Sequence, residues 1–269
     1  MTKQKKILSY IVNAVLVVVL FATMQALISS GAVNAYYSAV TLLQNAGMIS
    51  RSLKGQLVPI CVYIVMAVSL NLVVGISGEL SLGHAGFMSV GAYSAALFTM
   101  NSGLPEAVAF PIALVVGGLV AAIFGTLIGI PALRLRGDYL AIITLGFGEI
   151  IRVIIQNLGF TGGAKGLRGI PGLTTFGYVF WVAVITIFVV YTFIHSRHGR
   201  AVISIREDEI AAEASGINTT YYKMAAFVLA AFFAGVAGAL YAHYIGVLGA
   251  SNFNFDRSIE ILVMVVLGG

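Results

Sequence analysis

Two charged side chains stand three residues apart in an otherwise apolar run: Glu149 and Arg152, in YLAIITLGFGEIIRVIIQNL. On a helix this spacing puts both on one face. At 1.5 Å per residue they lie about 16 Å and about 21 Å from Asp138, where the run begins. An acid and a base that deep in an apolar element either neutralise each other or line a polar path, and intramembrane charge defaults to functional candidacy.

A second candidate is NLVVGISGELSLGHAGFMSVGAY, from Asn71 to Tyr93, where five glycines interrupt the apolar pattern around Glu79, Ser81 and His84. Two readings stand. Broken helices whose freed backbone groups line a cavity look like this. So does a short, glycine-rich cytoplasmic turn between two spans. Asn71, Ser81, His84, Glu149 and Arg152 are the candidate translocation-path residues.

The third candidate is the charged island SRHGRAVISIREDEIAAEASGINTTYYK, Ser196 to Lys223, in a chain that is only 9% charged. Ala201 to Ser215 reads as one short helix with acids at its middle and Gly216 as its stop. Such a helix between two spans is suited to dock a partner. The bland alternative is a solvated loop.

Several chemistries are excluded. TGGAKGLRGIP, from Thr161 to Pro171, is not a phosphate-binding loop, because Lys165 lacks the preceding Gly and following Ser or Thr. His84, His195, His198 and His243 include no pair at zinc-protease spacing, so no metal is expected. Cys61 is alone, which rules out an intrachain disulfide. No nucleophile elbow or Cys–His pair stands out, so no catalytic residue and no cofactor are expected.

These side chains must be held by membrane-spanning elements. The chain is 59% hydrophobic, with a mean hydropathy of +1.00, against roughly 45–50% apolar residues in soluble domains. Continuous apolar runs without period-2 alternation select helices over a barrel. They extend approximately over Ile7–Ile28, Leu57–Ile76, Phe87–Met100, Ala107–Ile130, Tyr139–Leu158, Tyr178–Ile194 and Met224–Leu248, with an eighth from near Ile259. The expected fold is therefore an all-α polytopic membrane bundle of about eight segments, the last incomplete. With about ten apolar residues after Ser258, that segment is too short to span, and the single transmembrane domain over 1–269 reads as cut short in its C-terminal part. The first run exceeds the 7–15 residues of a signal-peptide core and reads as a retained anchor.

The net charge of +5 does not imply a nucleic-acid partner, because the basic residues flank helices. With the N-terminus in the cytoplasm, nine basic residues fall inside and five outside, among them Arg51, Lys54, Lys165, Arg168 and Arg257, a bias of the sign that orients membrane proteins. Arg152 is left within a span, and the island at 196–223 is cytoplasmic. Gly125 with Gly129, Ala231 with Gly235, and Ala234 with Gly238 have the small-residue spacing that lets helices approach closely.

The stretches 71–97, 134–157 (RLRGDYLAIITLGFGEIIRVIIQN), TGGAKGLRGIP and REDEIAAEASGIN (206–218), in this order, resemble the LivM-type permease subunit of branched-chain amino-acid ABC transporters. The resemblance implies one half of a translocation path in a bacterial inner membrane. It also implies a second permease subunit, two cytoplasmic ATPase subunits and an extracytoplasmic binding protein that delivers leucine, isoleucine or valine. In importers of this class a cytoplasmic Glu-Ala-Ala is followed by Gly. Here Ala211, Ala212 and Gly216 fit that motif, Ile210 takes the acidic place, and Glu209 stands one residue earlier. The ATPase-coupling residues implied are Glu209, Ala211, Ala212, Glu213 and Gly216. Family members continue beyond the point where this chain stops. Urea or a short amide is an alternative cargo for the same class. From another class, an ion-coupled carrier would use Glu149 as its titrating group.

Overall fold

The computed structural model describes residues 51–135 and 137–268. The apolar segment Ile7–Ile28 and the placement of the N-terminus lie outside the described residues. Two compact units divide the chain after Leu57. Of the first, only residues 51–57 are described, as the opening of a helix; the second, Val58–Gly269, holds the remaining elements.

Helix α1 covers Arg51–Asn71 and widens into a π-helical turn at Leu72–Ile76. Gly75 in this turn leaves room for the Asn71 carboxamide to lie against it. Residues 77–83 are irregular, and α2 starts at His84 and runs to Asn101. Helix α3 spans Glu106–Ala132, and α4 spans Asp138–Asn157. The glycine-rich stretch after it forms two 3-10 turns and strand β1, Leu167–Arg168. Helix α5 covers Phe176–His195, and the island then folds as α6, Arg197–Glu207, and α7, Glu209–Ala214. Helix α8 spans Thr219–Ile245, strand β2 is Val247–Leu248, and α9 covers Phe255–Gly268.

The class is the expected one: all-α and polytopic. Among the described residues four helical stretches are long and apolar enough to cross a membrane: Gly55–Ile76, Glu106–Ala132, Phe176–His195 and Thr219–Ile245. The other helices, α2, α4 and α9, are shorter or carry more charge, so a count of eight does not follow from these residues.

The core is built where α2, α3 and α8 meet through small residues. A Cβ at Gly91 of α2 would run into the backbone of Gly235 in α8, and one at Gly117 of α3 would come within 2.9 Å of the Gly91 carbonyl. Gly125 of α3 faces Ala231, and Gly238 faces the Met88 carbonyl. Of the small residues paired in the sequence, Gly235 and Gly238 sit against neighbouring backbone, Gly125 against the Ala231 methyl and Gly129 against the Met224 and Phe227 side chains, the close packing that small residues allow in lipid.

At the end of the bundle opposite the island, β1 and β2 pair antiparallel, Leu167 with Leu248 and Arg168 with Val247. The glycine-rich loop serves this contact. A side chain at Gly166, where φ is +75°, would press on the Leu248 carbonyl, and Thr161 Oγ1 donates to the Ile155 carbonyl at 2.6 Å. After β2 the chain turns back toward the bundle interior. Phe253 is buried against Tyr93 and Tyr241, and Arg257 in the first turn of α9 bonds to the Tyr63 hydroxyl. The last helix thus starts a few residues before the expected Ile259. Phe253 anchors a re-entrant return, and the helix begins at Phe255.

Candidate functional site

The irregular segment 77–83 packs against α4 where it enters α2. A Cβ at Gly83 would collide with the Thr144 carbonyl, and one at Gly86 would approach Gly148 Cα at 2.9 Å. Thr144 and Gly148 lie about 9 Å and about 15 Å along α4 from Asp138. The break is therefore packed against α4 from Gly83 onward, while Gly75, Gly78 and Glu79 at its start meet the island. Ser77, Glu79, Ser81 and His84 are all buried there.

A break at such depth must satisfy its own backbone. The Leu82 amide donates to Thr144 Oγ1 at 3.0 Å, and the Ala85 amide to Ser258 Oγ of α9 at 3.2 Å. The Glu79 amide donates to the Val73 carbonyl at 3.0 Å. The carbonyl of Gly75, freed by the π-turn, accepts from Arg206 Nη1 of α6 at 2.7 Å. Fully buried His84 shares a 2.8 Å hydrogen bond with Ser69 Oγ of α1. The same hydroxyl lies 2.8 Å from the Met66 carbonyl, so it is held between its own helix and the imidazole.

The path candidates do not all converge. Glu149 lines a narrow cleft with Leu82, Gly86, Phe253, Phe255 and Ser258, too tight to hold a water molecule. Arg152 Nε donates to Glu149 Oε2 at 2.7 Å, so the two do pair, while both side chains stay about one-third exposed. His84 stands two residues before Gly86, on the helix that forms one wall of this cleft. Ser81 is buried, and its hydroxyl has no partner among the described residues. Asn71 is elsewhere, at the end of α1 against Gly75.

The island is two helices, not the single one expected over Ala201–Ser215. Asp208 takes an extended conformation (φ −155°) and its carboxylate accepts from the Ala211 amide at 3.0 Å, so it ends α6 and caps α7. At the other end, Gly216 has φ +81°, its amide donates to the Glu213 carbonyl, and the Ile217 amide reaches back to the Ala212 carbonyl. This is a left-handed glycine stop with both reverse bonds formed. Glu213 accepts from Thr219 Oγ1 at 2.9 Å, which ties α7 to the start of α8. Of the coupling candidates, Ala212 is buried against its own bundle, whereas Ala211, Glu213 and Gly216 are exposed. Beside them Ile210 is 74% exposed, an apolar side chain left open by the described residues.

Sequence reasoning missed the residues that join island and break. Lys223 Nζ, in the second turn of α8, lies 2.6 Å from Glu79 Oε1 and 2.8 Å from Glu209 Oε1. The lysine side chain is 6% exposed, and its partners are 11% and 23% exposed. One buried ammonium thus holds a carboxylate of the break and one of α7. The available signal was Glu79 itself, an acid in a membrane break that required a cation; which cation it was lay far away in the sequence.

Apolar membrane-length helices, a buried break and a polar clamp at one end define a polytopic membrane permease architecture. The chain belongs to the branched-chain amino acid transport system / permease component family, which it matches over residues 52–269. It is 40% identical over 243 residues to the high-affinity branched-chain amino acid transport permease LivM of Escherichia coli and to that of Salmonella typhimurium. These alignments cover 77% of this chain and 56% of each relative, so the chain spans little more than half their length. The nucleoside ABC transporter permease NupC of Lactococcus lactis is 25% identical over 210 residues, which is 70% of this chain and 66% of that relative. No solved structure matches the chain.

Proposed function

We propose that this chain is the membrane-spanning permease subunit of an ABC importer for leucine, isoleucine and valine. The observation that carries this reading is the family match over 52–269 together with 40% identity to the LivM permeases. Residues 1–269 contribute to one permease domain of a bacterial inner membrane, with the N-terminus and the island 196–223 in the cytoplasm. A second permease subunit, two cytoplasmic ATPase subunits and an extracytoplasmic binding protein complete the assembly, and hydrolysis belongs to the ATPases.

In this reading α7 docks on an ATPase through its outward face, Ile210, Ala211 and the turn at Gly216. Buried Ala212 supports that face from beneath. Two experiments test the proposal. The full assembly in proteoliposomes should take up labelled leucine in a manner dependent on ATP and blocked by vanadate. An ionophore-sensitive, vanadate-resistant uptake would point to an ion-coupled carrier, and competition by urea, short amides or nucleosides with no effect of valine would reassign the cargo. Ala211→Arg should leave the chain in the membrane but strip the ATPase subunits on co-purification, whereas unchanged association would remove α7 from the docking surface.

A further inference from the structure

Two separate attachments fix the island to the break. Lys223 bridges Glu79 and Glu209, and Arg206 donates to the Gly75 carbonyl. The Arg206 stem also lies over Gly78, where φ is +73° and a Cβ would come 2.7 Å from Arg206 Cγ. Glycine at that point thus provides both the backbone turn and the seat for the arginine. Both attachments join the surface helices α6 and α7 to the interrupted stretch 72–83, and the lysine comes from a third element, α8.

Resting on the importer reading above, we infer that Glu79, Lys223 and Glu209, with Arg206 on Gly75, form a rigid joint that carries displacement of α7 into the break. The joint stays closed while the two segments move as one body. Its burial argues for this over a latch that opens in each cycle. Parting the ions would leave a nearly buried ammonium and a nearly buried carboxylate without partners, and such separations are strongly unfavourable. Lys223 is then a positioning residue: it touches no cargo, and it decides whether work done at the cytoplasmic face reaches the cleft walls at Leu82 of the break and Gly86 of α2.

The test uses the complete assembly in proteoliposomes and reads leucine uptake, ATP hydrolysis and subunit co-purification in parallel. Lys223→Met should lower uptake about tenfold or more, within the 5–150-fold range of ordinary coupling between sites, while hydrolysis and association stay within about twofold. Lys223→Arg should recover part of the uptake. The decisive variant carries Glu79→Cys, Glu209→Cys and Lys223→Met in a Cys61→Ser background, where Cys61 is the chain's one native cysteine. Joining the two new thiols with a short, reducible bis-methanethiosulfonate should restore uptake per ATP, and dithiothreitol should abolish it again. Arrest of transport by the cross-link would show a latch and overturn the joint, as would normal uptake per ATP in Lys223→Met. Should the unmodified assembly show no ATP-driven uptake, the importer reading fails instead, so the two failures are distinguishable.

Discussion

Helices α5 and α8 are both apolar and long enough to span a membrane, yet they occupy opposite situations. Of the most apolar stretch of α5, 22% is buried; of α8, 72%. Hydropathy does not separate them, and side-chain size does. Helix α8 carries Ala230, Ala231, Ala234, Gly235, Ala237, Gly238 and Ala239, all buried, and is enclosed on every side. Helix α5 buries one stripe, Val179, Ala183, Thr186 and Val190, and presents large residues such as Phe180, Ile187 and Tyr191 outward. In lipid no hydrophobic force draws a helix inward, so the interior position goes to the helix whose backbone others can approach.

The comparison can be broken most severely at the closest approach. Gly91→Leu would place its side chain in the backbone of Gly235, and because backbone cannot move aside as a side chain can, α2 and α8 must separate. We expect a loss beyond the roughly 1–3 kcal/mol of ordinary overpacking, seen as little or no folded protein by fluorescence-detected size exclusion. Normal elution and melting of this variant would refute the packing account of α8.

A milder change probes the polar side of the same interface. Thr99 Oγ1 and His243 Nε2 form a 2.9 Å hydrogen bond between α2 and α8. Thr99→Val keeps the shape and removes the bond, and measured interhelical bonds of this kind average about 0.6 kcal/mol and reach about 1.7. A fall of a few degrees in detergent melting temperature is expected, and no fall would mean His243 is held by its own helix, through the Ala239 carbonyl. The smallest effect belongs to α5. Ile187 is 47% exposed, and Ile187→Ala should change stability by less than about 0.5 kcal/mol, as surface substitutions do. A large loss in the isolated chain would show that α5 is packed where it looks bare.

Much of this organisation was legible in the sequence, since each legible feature depends on residues close together. The apolar runs gave α1, α3, α5 and α8 to within a few residues, Gly216 marked the end of α7, and the three-residue spacing predicted the Glu149–Arg152 pair. What escaped depends on pairing across the chain. Glu79 could be flagged, but Lys223 as its partner could not. The depth of the break is set by Thr144 and Gly148, and the return of 249–254 by the burial of Phe253 against Tyr93. The split of the island is a different kind of miss, because Asp208 is a good N-cap and its position inside a charged run hid it. Ala212 was read as part of a coupling segment from its motif place alone, and its burial depends on packing that the sequence does not display.

The break draws its long-range hydrogen-bonding partners from later in the chain: Thr144 on α4, Arg206 on α6, Lys223 on α8 and Ser258 on α9. A ribosome makes residues 72–85 well before it makes any of these. During synthesis the segment therefore leaves the translocon with a freed carbonyl at Gly75, unmet amides at Leu82 and Ala85 and an uncompensated Glu79, all of which hydrocarbon tolerates poorly. Until α8 and α9 emerge it must wait beside water or the insertion machinery. Assembly of this permease is thus back-loaded, and interrupting translation after α4 should leave an intermediate that surveillance proteases remove faster than the finished chain.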